Sequence, residues 1–393
     1  MTRSERATAV PADGADSRPL TVALVAPHYP PRIGGVERYV AELARGLAAD
    51  SRFTPVVLTT ASRGLRTRVS VEDGVRVIRL GVWLRVSNTP LSPLWPLQVR
   101  HWLRRTGADV VNAHAPVPGL GDVAVLMSGR RGVAVTYHAG TMDKGETGSG
   151  LANRLIAGYE RRVLPRVFAR CDTPVPAGPT SLAAGLRGAV MIAPGVDLEL
   201  FSPDAGAERR RELIYVGRMD RTSAWKGVDV LLKAFALLTD VPGLRLRLVG
   251  SGDAVEDHLA LAERLGVRDR VTATGALSGG ELVDAIRRAA VLVLPSVTNA
   301  ELTGMVLMEA MACATPVVAS DVGSTAYVVN QEAGYTVPPG DPELLAAACR
   351  RILTDPELAA QFGARGRARA ESEFGWPQKI ELYKELFSAL RRS

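Results

Sequence analysis

Short apolar runs ending in glycine, proline or a polar turn alternate with segments whose apolar residues fall at helical spacing. The alternation runs through two cycles. Continuous apolar runs of this length read as strands buried on both faces, and strands separated by helices read as parallel, doubly wound sheets. The first cycle opens with LTVALVA (Leu20 to Ala26), the turn-rich PHYPPRIGG, and VERYVAELARGLAA, where Val36, Tyr39, Val40, Leu43 and Leu47 share one helical face. Strands are expected at PVVLTT, VRVIRL, DVVNA and VAVTY, beginning at Pro55, Val75, Asp109 and Val133, with helices at 94–105 and 151–170. The second cycle starts at ELIYVGR near residue 212 and continues through LRLRLVGSG, RVTATG, VLVLP and TPVVASD. Helices are expected there near 228–238, 258–265, 281–289, 306–312, 342–353 and 356–373. Turn residues accumulate in IAPGVDLELFSPD, residues 192–204, which places the break between two halves. The expected organisation is a disordered tail over 1–18, one Rossmann-like domain over 19–195, a second over 196–374, and a closing helix over 375–393. Ligands of such sheets bind at the carboxyl ends of the strands, here in the cleft between two halves.

A length of 393 residues suits two domains, and 47% hydrophobic with 23% charged residues excludes disordered and fibrous classes. The net charge of +7 rests almost wholly on arginine, since only 5 of the 48 basic residues are lysine. It reads either as solvated surface charge or as attraction to phosphorylated donors or an anionic membrane; no nucleic-acid partner is expected. Cys171, Cys313 and Cys349 are too scattered for a zinc site or disulfide framework. The polar start and the absence of a long apolar run predict a cytoplasmic protein. Segment 151–170 combines apolar residues such as Leu155, Tyr159 and Phe168 with five arginines. It reads as a core helix with a solvated face, or as a peripheral membrane contact.

Four features carry chemistry. Gly34-Gly35 stand where a loop enters a helix, either to let a phosphate approach the backbone or to make a turn of positive φ. Arg218, at a strand end, and Lys226, in WKG at a helix start, would neutralise a diphosphate leaving group if they share the cleft; otherwise they are solvated cations. ELTGMVLME places Glu301 on a loop and the amides of Gly304, Met305 and Val306 at a helix start. Glu309 follows inside that helix, where a carboxylate accepts ribose hydroxyls; the plainer reading is a helix cap and a surface acid. His138, in VTYHAG, can donate to a phosphate or sugar hydroxyl, though a lone histidine is more often structural. His28 and His114 are weaker candidates of the same kind, and His101 and His258 are expected to face solvent.

GGVERYV, TYHAG, APGVD, VGRM…WKG and E-x7-E followed by AMACATPVVASDVG resemble glycosyltransferase family four, a retaining family of GT-B fold, in order from Leu20 to Trp376. The resemblance implies that the backbone of Gly35 covers the donor phosphates and that Arg218 and Lys226 grip the diphosphate. It implies that Glu301 touches the donor sugar, Glu309 the ribose and Leu277 the base. The amides beside Gly304, at Met305 and Val306, would hold phosphate or sugar oxygens, and His138 would lie near the transferred sugar. The expected activity is transfer of a hexose-type sugar from a UDP or GDP sugar to an acceptor hydroxyl on a glycan, glycolipid or natural product. No D-x-D spacing occurs, so no metal and no cofactor is expected. The chain departs from the family pattern in the spacer MDRTSAW, at Thr303 and Met305, and at Ala314, where glycine is frequent. A nucleotide-sugar epimerase and a catalytically silent binding protein remain the competing readings.

Overall fold

The computed structural model describes residues 18–32, 34–62, 64–86, 89–140, 150–204 and 206–392, the side chains of 151–153 excepted. The expected tail, save Arg18, and most of the loop GTMDKGETGSG (140–150) lie outside the described residues.

The first half runs β1 (Leu20–Val25), α1 (Gly35–Ala48), β2 (Phe53–Thr60), β3 (Arg68–Glu72), β4 (Val75–Leu80), β5 (Leu84–Val86) and β6 (Thr89–Leu91). It continues with α2 (Trp95–Arg105), β7 (Val110–Ala115), α3 (Leu120–Met127), β8 (Gly132–Tyr137), α4 (Gly150–Arg162), α5 (Leu164–Phe168) and β9 (Thr173–Pro176). The second half runs β10 (Glu212–Val216), α6 (Val228–Ala236), β11 (Arg245–Val249), α7 (Val255–Arg264), β12 (Val271–Gly275), α8 (Gly279–Arg288) and β13 (Val291–Leu294). It ends with α9 (Met305–Ala312), β14 (Val317–Ser320), α10 (Thr325–Val329), β15 (Gly334–Val337), α11 (Pro342–Thr354), α12 (Pro356–Glu373) and α13 (Trp376–Ala389).

The first sheet has the order β3-β4-β2-β1-β7-β8-β9, parallel but for the edge strand β3; the second, β12-β11-β10-β13-β14-β15, is parallel throughout. β5 and β6 form a separate antiparallel hairpin. Strand order reverses beside β1 in one sheet and beside β10 in the other, so each sheet opens a crevice at its switch point. The predicted strands are all present. β3, β9 and β15 went unread because RVSVE, TPVP and GYTV are short or broken by proline.

Segment 151–170 is two helices, not one. Pro165 lies in the first turn of α5, and Leu164 and Val167 are buried in the cluster that also holds Tyr159 and Phe168. Leu164 and Val167 therefore serve the core, whereas Leu155 and Val163 are exposed, and a membrane contact through this segment gains no support. No helix among the described residues is long and apolar enough to cross a membrane.

The closing helix α13 packs on the first sheet, placing Trp376, Tyr383, Leu386 and Phe387 in one cluster with Leu24, Tyr39 and Leu43. Tyr383 Oη lies 2.8 Å from Tyr39 Oη and 3.0 Å from Thr136 Oγ1, so a buried polar chain fixes the helix in place. The segment between the halves is held as well: Val196 N–H donates to Phe374 O at 2.7 Å and Trp376 N–H to Val196 O at 3.3 Å.

Ala314 explains one departure from the family pattern. Thr315 N–H donates to Ala310 O at 2.8 Å and Ala314 N–H to Met311 O at 2.9 Å, the double bond pattern of a Schellman end to α9. That end needs a left-handed residue, and Ala314 has φ of 56°. An alanine there carries a steric penalty that glycine lacks. Ala314→Gly is therefore expected to stabilise the protein by about 1 kcal/mol, read as a raised midpoint in urea denaturation.

Candidate active site

The carboxyl ends of β1, β10 and β13 bring three of the four sequence features together, His138 follows β8 within the first half, and the packing shows why the local sequence is what it is. Gly34 has an extended backbone with φ of 176°, so positive φ is not the reason for the glycine pair. A Cβ on Gly34 would stand 2.2 Å from Glu37 Oε2, so that flexible carboxylate would have to shift, and one on Gly35 would stand 3.3 Å from Met305 Sδ. Gly35 is thus the point where the start of α1 touches the start of α9 across the cleft.

Glycine also places the lysine. Gly227 has φ of 68°, and a Cβ on it would approach Pro295 O to 2.0 Å, so WKG can lie directly against the loop after β13. Val297 N–H donates to Trp225 O at 2.8 Å and seals that contact. Lys226 Nζ then donates to Glu301 Oε2 at 2.5 Å, with Ser296 Oγ donating to the same oxygen at 3.0 Å and the Trp225 ring 4.6 Å from Nζ. Gly304 caps α9 with φ of 59°, and Leu294 Cδ2 leaves no room there for a side chain.

Glu309 is buried rather than on the surface. Desolvation raises its carboxyl pKa, and Arg38 of α1, 271 residues away in sequence, donates to Glu309 Oε1 and opposes that shift. The guanidinium of Arg38 also lies 5.7 Å from the centre of the Phe201 ring. Arg38, Glu42, Phe201, Met305, Glu309 and Trp376 surround a cavity of about 30 Å³, room for about one water. Arg218 is half-exposed and donates through Nε to Asp220 Oδ2 at 2.7 Å. Arg32 Nε stands 3.2 Å from Glu37 Oε1, and burial raises the Glu37 carboxyl pKa. Leu277, Val216 and Val306 line the same side of the second core.

His138 is not alone. Its Nε2 lies 2.9 Å from His114 Nδ1, the two rings stack at 5.2 Å, and Tyr39 meets His138 edge-on at 4.7 Å. Burial depresses both imidazoles, His138 to about 3 and His114 in the same direction, so neither is charged at neutral pH. His28 instead sits against Arg32, 3.3 Å from its Nη1. His101 is exposed as expected, and His258 is half-buried.

The arrangement gathers cations and two helix N-termini around one opening, which suits an anionic ligand. Within the described structure the cations are met by carboxylates: Arg32 by Glu37, Arg38 by Glu309, Arg218 by Asp220 and Lys226 by Glu301. Sequence reasoning missed Arg38, Arg32, Glu37, Asp220 and Ser296. For Arg38 a signal existed, because Gly35, Arg38 and Glu42 fall at i, i+3 and i+7 on a face of α1 that flanks its apolar stripe.

Two facing parallel sheets that close on a cleft of this kind define the GT-B class of glycosyltransferase. The family model described as Glycosyltransferase Family 4 matches residues 33–200, and that described as Glycosyl transferases group 1 matches residues 199–369. A D-inositol 3-phosphate glycosyltransferase of Kineococcus radiotolerans is 30% identical, covering 90% of each chain. That of Acidothermus cellulolyticus is 31% identical over 94% of this chain and 90% of its own. Among solved structures, sucrose-phosphate synthase from Thermosynechococcus elongatus superposes with a TM-score of 0.77 at 26% identity, covering 94% of this chain and all of that one. Anabaena HepE in complex with UDP-glucose superposes with a TM-score of 0.71 at 18% identity over 94% of this chain. The chain belongs to glycosyltransferase family 4 and is a glycosyltransferase.

The histidine pair predicts acid sensitivity. The folded pKa of His138, about 3, lies below the unfolded value near 6.5, so unfolding takes up protons between them. Its stabilising contribution is fully present above pH 6.5 and is lost as pH falls toward 3. Denaturation midpoints should fall between pH 7.5 and 5, and the fall should be smaller in His114→Gln/His138→Gln; equal slopes for both proteins would contradict this assignment.

Proposed function

We propose that the protein is a retaining, metal-independent glycosyltransferase that moves a hexose-type sugar from a UDP or GDP sugar to an acceptor hydroxyl on a glycan, glycolipid or natural product. The observation that carries the reading is the Lys226–Glu301 pair beside the free amides of α9, facing Gly35 across the cleft. In this reading residues 196–374 bind the donor and 19–195 the acceptor, with the helix over 375–393 returning to the first unit.

Arg218 and Lys226 leave their carboxylate partners to bind the diphosphate, a ligand of higher charge. Gly35 and the amides of Gly304, Met305 and Val306 receive phosphate and sugar oxygens. Glu301 orients the donor sugar and Glu309 the ribose, while Leu277 lies against the base. Arg38 occupies Glu309 in the donor-free cleft, so ribose binding requires Arg38 to share that carboxylate or release it. His138, neutral and held by His114, offers a hydrogen bond to the transferred sugar.

The acceptor hydroxyl attacks the anomeric carbon on the face the diphosphate leaves. The bond from that carbon to the β-phosphate oxygen breaks, the new glycosidic bond forms, and the hydroxyl proton passes to the departing phosphate oxygen. Arg218, Lys226 and the amides stabilise the charge that develops on the diphosphate. The UDP-glucose complex of the Anabaena neighbour favours UDP over GDP, and the curated relatives' names add phosphorylated polyols to the acceptors for assay.

Calorimetry with UDP and GDP tests the donor site. One nucleotide should bind, and Lys226→Ala and Glu309→Ala should each weaken it by about 10- to 100-fold, the loss of a charge-assisted hydrogen bond. Failure of both nucleotides would overturn the assignment and favour a binding protein of another ligand. Turnover of a UDP-sugar without any acceptor, giving an epimerised sugar nucleotide, would favour the epimerase reading. A transfer product of retained α configuration by NMR, formed at an undiminished rate in EDTA, is expected of the mechanism. An inverted product overturns the stereochemistry, and loss of activity in EDTA overturns the metal independence.

A further inference from the structure

Between Asp73 and Asp109 the chain carries no acidic residue, yet it holds Arg76, Arg79, Arg85, Arg100, Arg104 and Arg105 and three of the protein's five tryptophans. The stretch contains the β5–β6 hairpin and α2, and the fold turns five of its large apolar residues outward. Trp83, Leu84, Val86, Leu94 and Leu97 are between 52% and 73% exposed. These five residues fall within fifteen positions of the chain, and exposed apolar surface of that density marks an interaction site.

Each element shows why the residues are outside. In α2, Trp95, Val99 and Leu103 fill the core at i, i+4 and i+8, so Leu97, Arg100, His101, Arg104 and Arg105 fall on the opposite face. In the hairpin, Leu84 and Val86 point to one side while Arg85 turns to the other and donates to Ala61 O at 3.3 Å. Val82 N–H donates to Gly64 O at 3.1 Å, and the backbone of the exposed Leu65 packs directly against Gly81. None of Arg100, Arg104 and Arg105 forms an ion pair among the described residues, and Arg105 lies over the Trp102 ring at 5.6 Å.

We propose that the β5–β6 hairpin and the outer face of α2 form a docking surface for an anionic lipid bilayer. Trp83, Leu84, Val86, Leu94 and Leu97 enter the interface while Arg100, Arg104 and Arg105 meet the phosphate headgroups. Charge decides for this occupant. A second copy of the chain would bring the same arginines against one another, whereas a negatively charged leaflet complements them. The hairpin end of the surface lies toward the cleft, because Arg85 on its inner side and Arg218 both act electrostatically on Arg32. Docking here would present the cleft to acceptors held in a membrane. The inference concerns a surface separate from the donor site and stands whatever nucleotide that site takes.

The test is sedimentation of the full-length protein with phosphatidylglycerol–phosphatidylcholine vesicles, compared with pure phosphatidylcholine vesicles. Binding should require the anionic lipid, weaken with added salt, and shift the Trp83 emission to the blue, a shift absent in Trp83→Phe. Arg100→Gln/Arg104→Gln/Arg105→Gln should weaken partitioning by roughly 100-fold, about fivefold for each arginine. Leu84→Ser/Leu97→Ser should also weaken it, with an unchanged thermal midpoint in both variants because the residues are exposed. No anionic-vesicle binding would overturn the proposal. So would loss of binding only on neutralising Arg161, Arg162 and Arg166 in the 151–170 segment, or self-association that the two α2 and hairpin variants abolish.

Discussion

A carboxylate buried in an apolar helix stays charged only if a cation reaches it, and the cation that reaches Glu309 comes from the other sheet. Arg38 on α1 crosses the cleft to Glu309 on α9, so the two halves meet through a charge that neither could bury alone. Glu301, in the same half, is met by Lys226 and Ser296. Each acid lies in the second half, at a place where the backbone is held by glycines that tolerate no side chain: Gly227 against Pro295, Gly304 against Leu294 and Gly323 against Glu301 O. The site is therefore rigid along its glycine-held backbone and adjustable where side chains can change partners.

The first half contributes a different kind of order. Asn112, Thr136, Tyr383 and Tyr39 form a buried hydrogen-bonded chain that ends beside the His114–His138 pair. Tyr383 belongs to α13, the last helix, so the geometry beneath the cleft depends on residues far from it in sequence. Because Phe374 and Trp376 also grip Val196, the segment joining the halves and the final helix form one strap. Relative movement of the halves has to bend that strap.

The doubly wound architecture was legible because buried parallel strands such as LTVALVA and VLVLP are continuous apolar runs, a pattern no surface strand shares. The motif residues were legible because glycines at helix starts announce close approach, as Gly35, Gly227 and Gly304 demonstrate. Less could be read where the cause is not local. The split of 151–170 followed from Pro165, a visible signal outweighed by apolar periodicity. His138 read as a lone histidine because its partner, His114, is on a neighbouring strand.

By itself the sequence determined the two sheets, the cleft they open onto and the residue types offered to it, since periodicity and turn chemistry are properties of neighbouring residues. It also set the acid-free, tryptophan-rich stretch between Asp73 and Asp109. Only the tertiary structure decided the pairings: Arg38 with Glu309, Lys226 with Glu301, His114 with His138, and α2 with its leucine and arginines outward. The reason is that a charge or an imidazole takes whichever partner the fold brings within about 3 Å, and that distance is set by the packing of whole sheets, not by position along the chain.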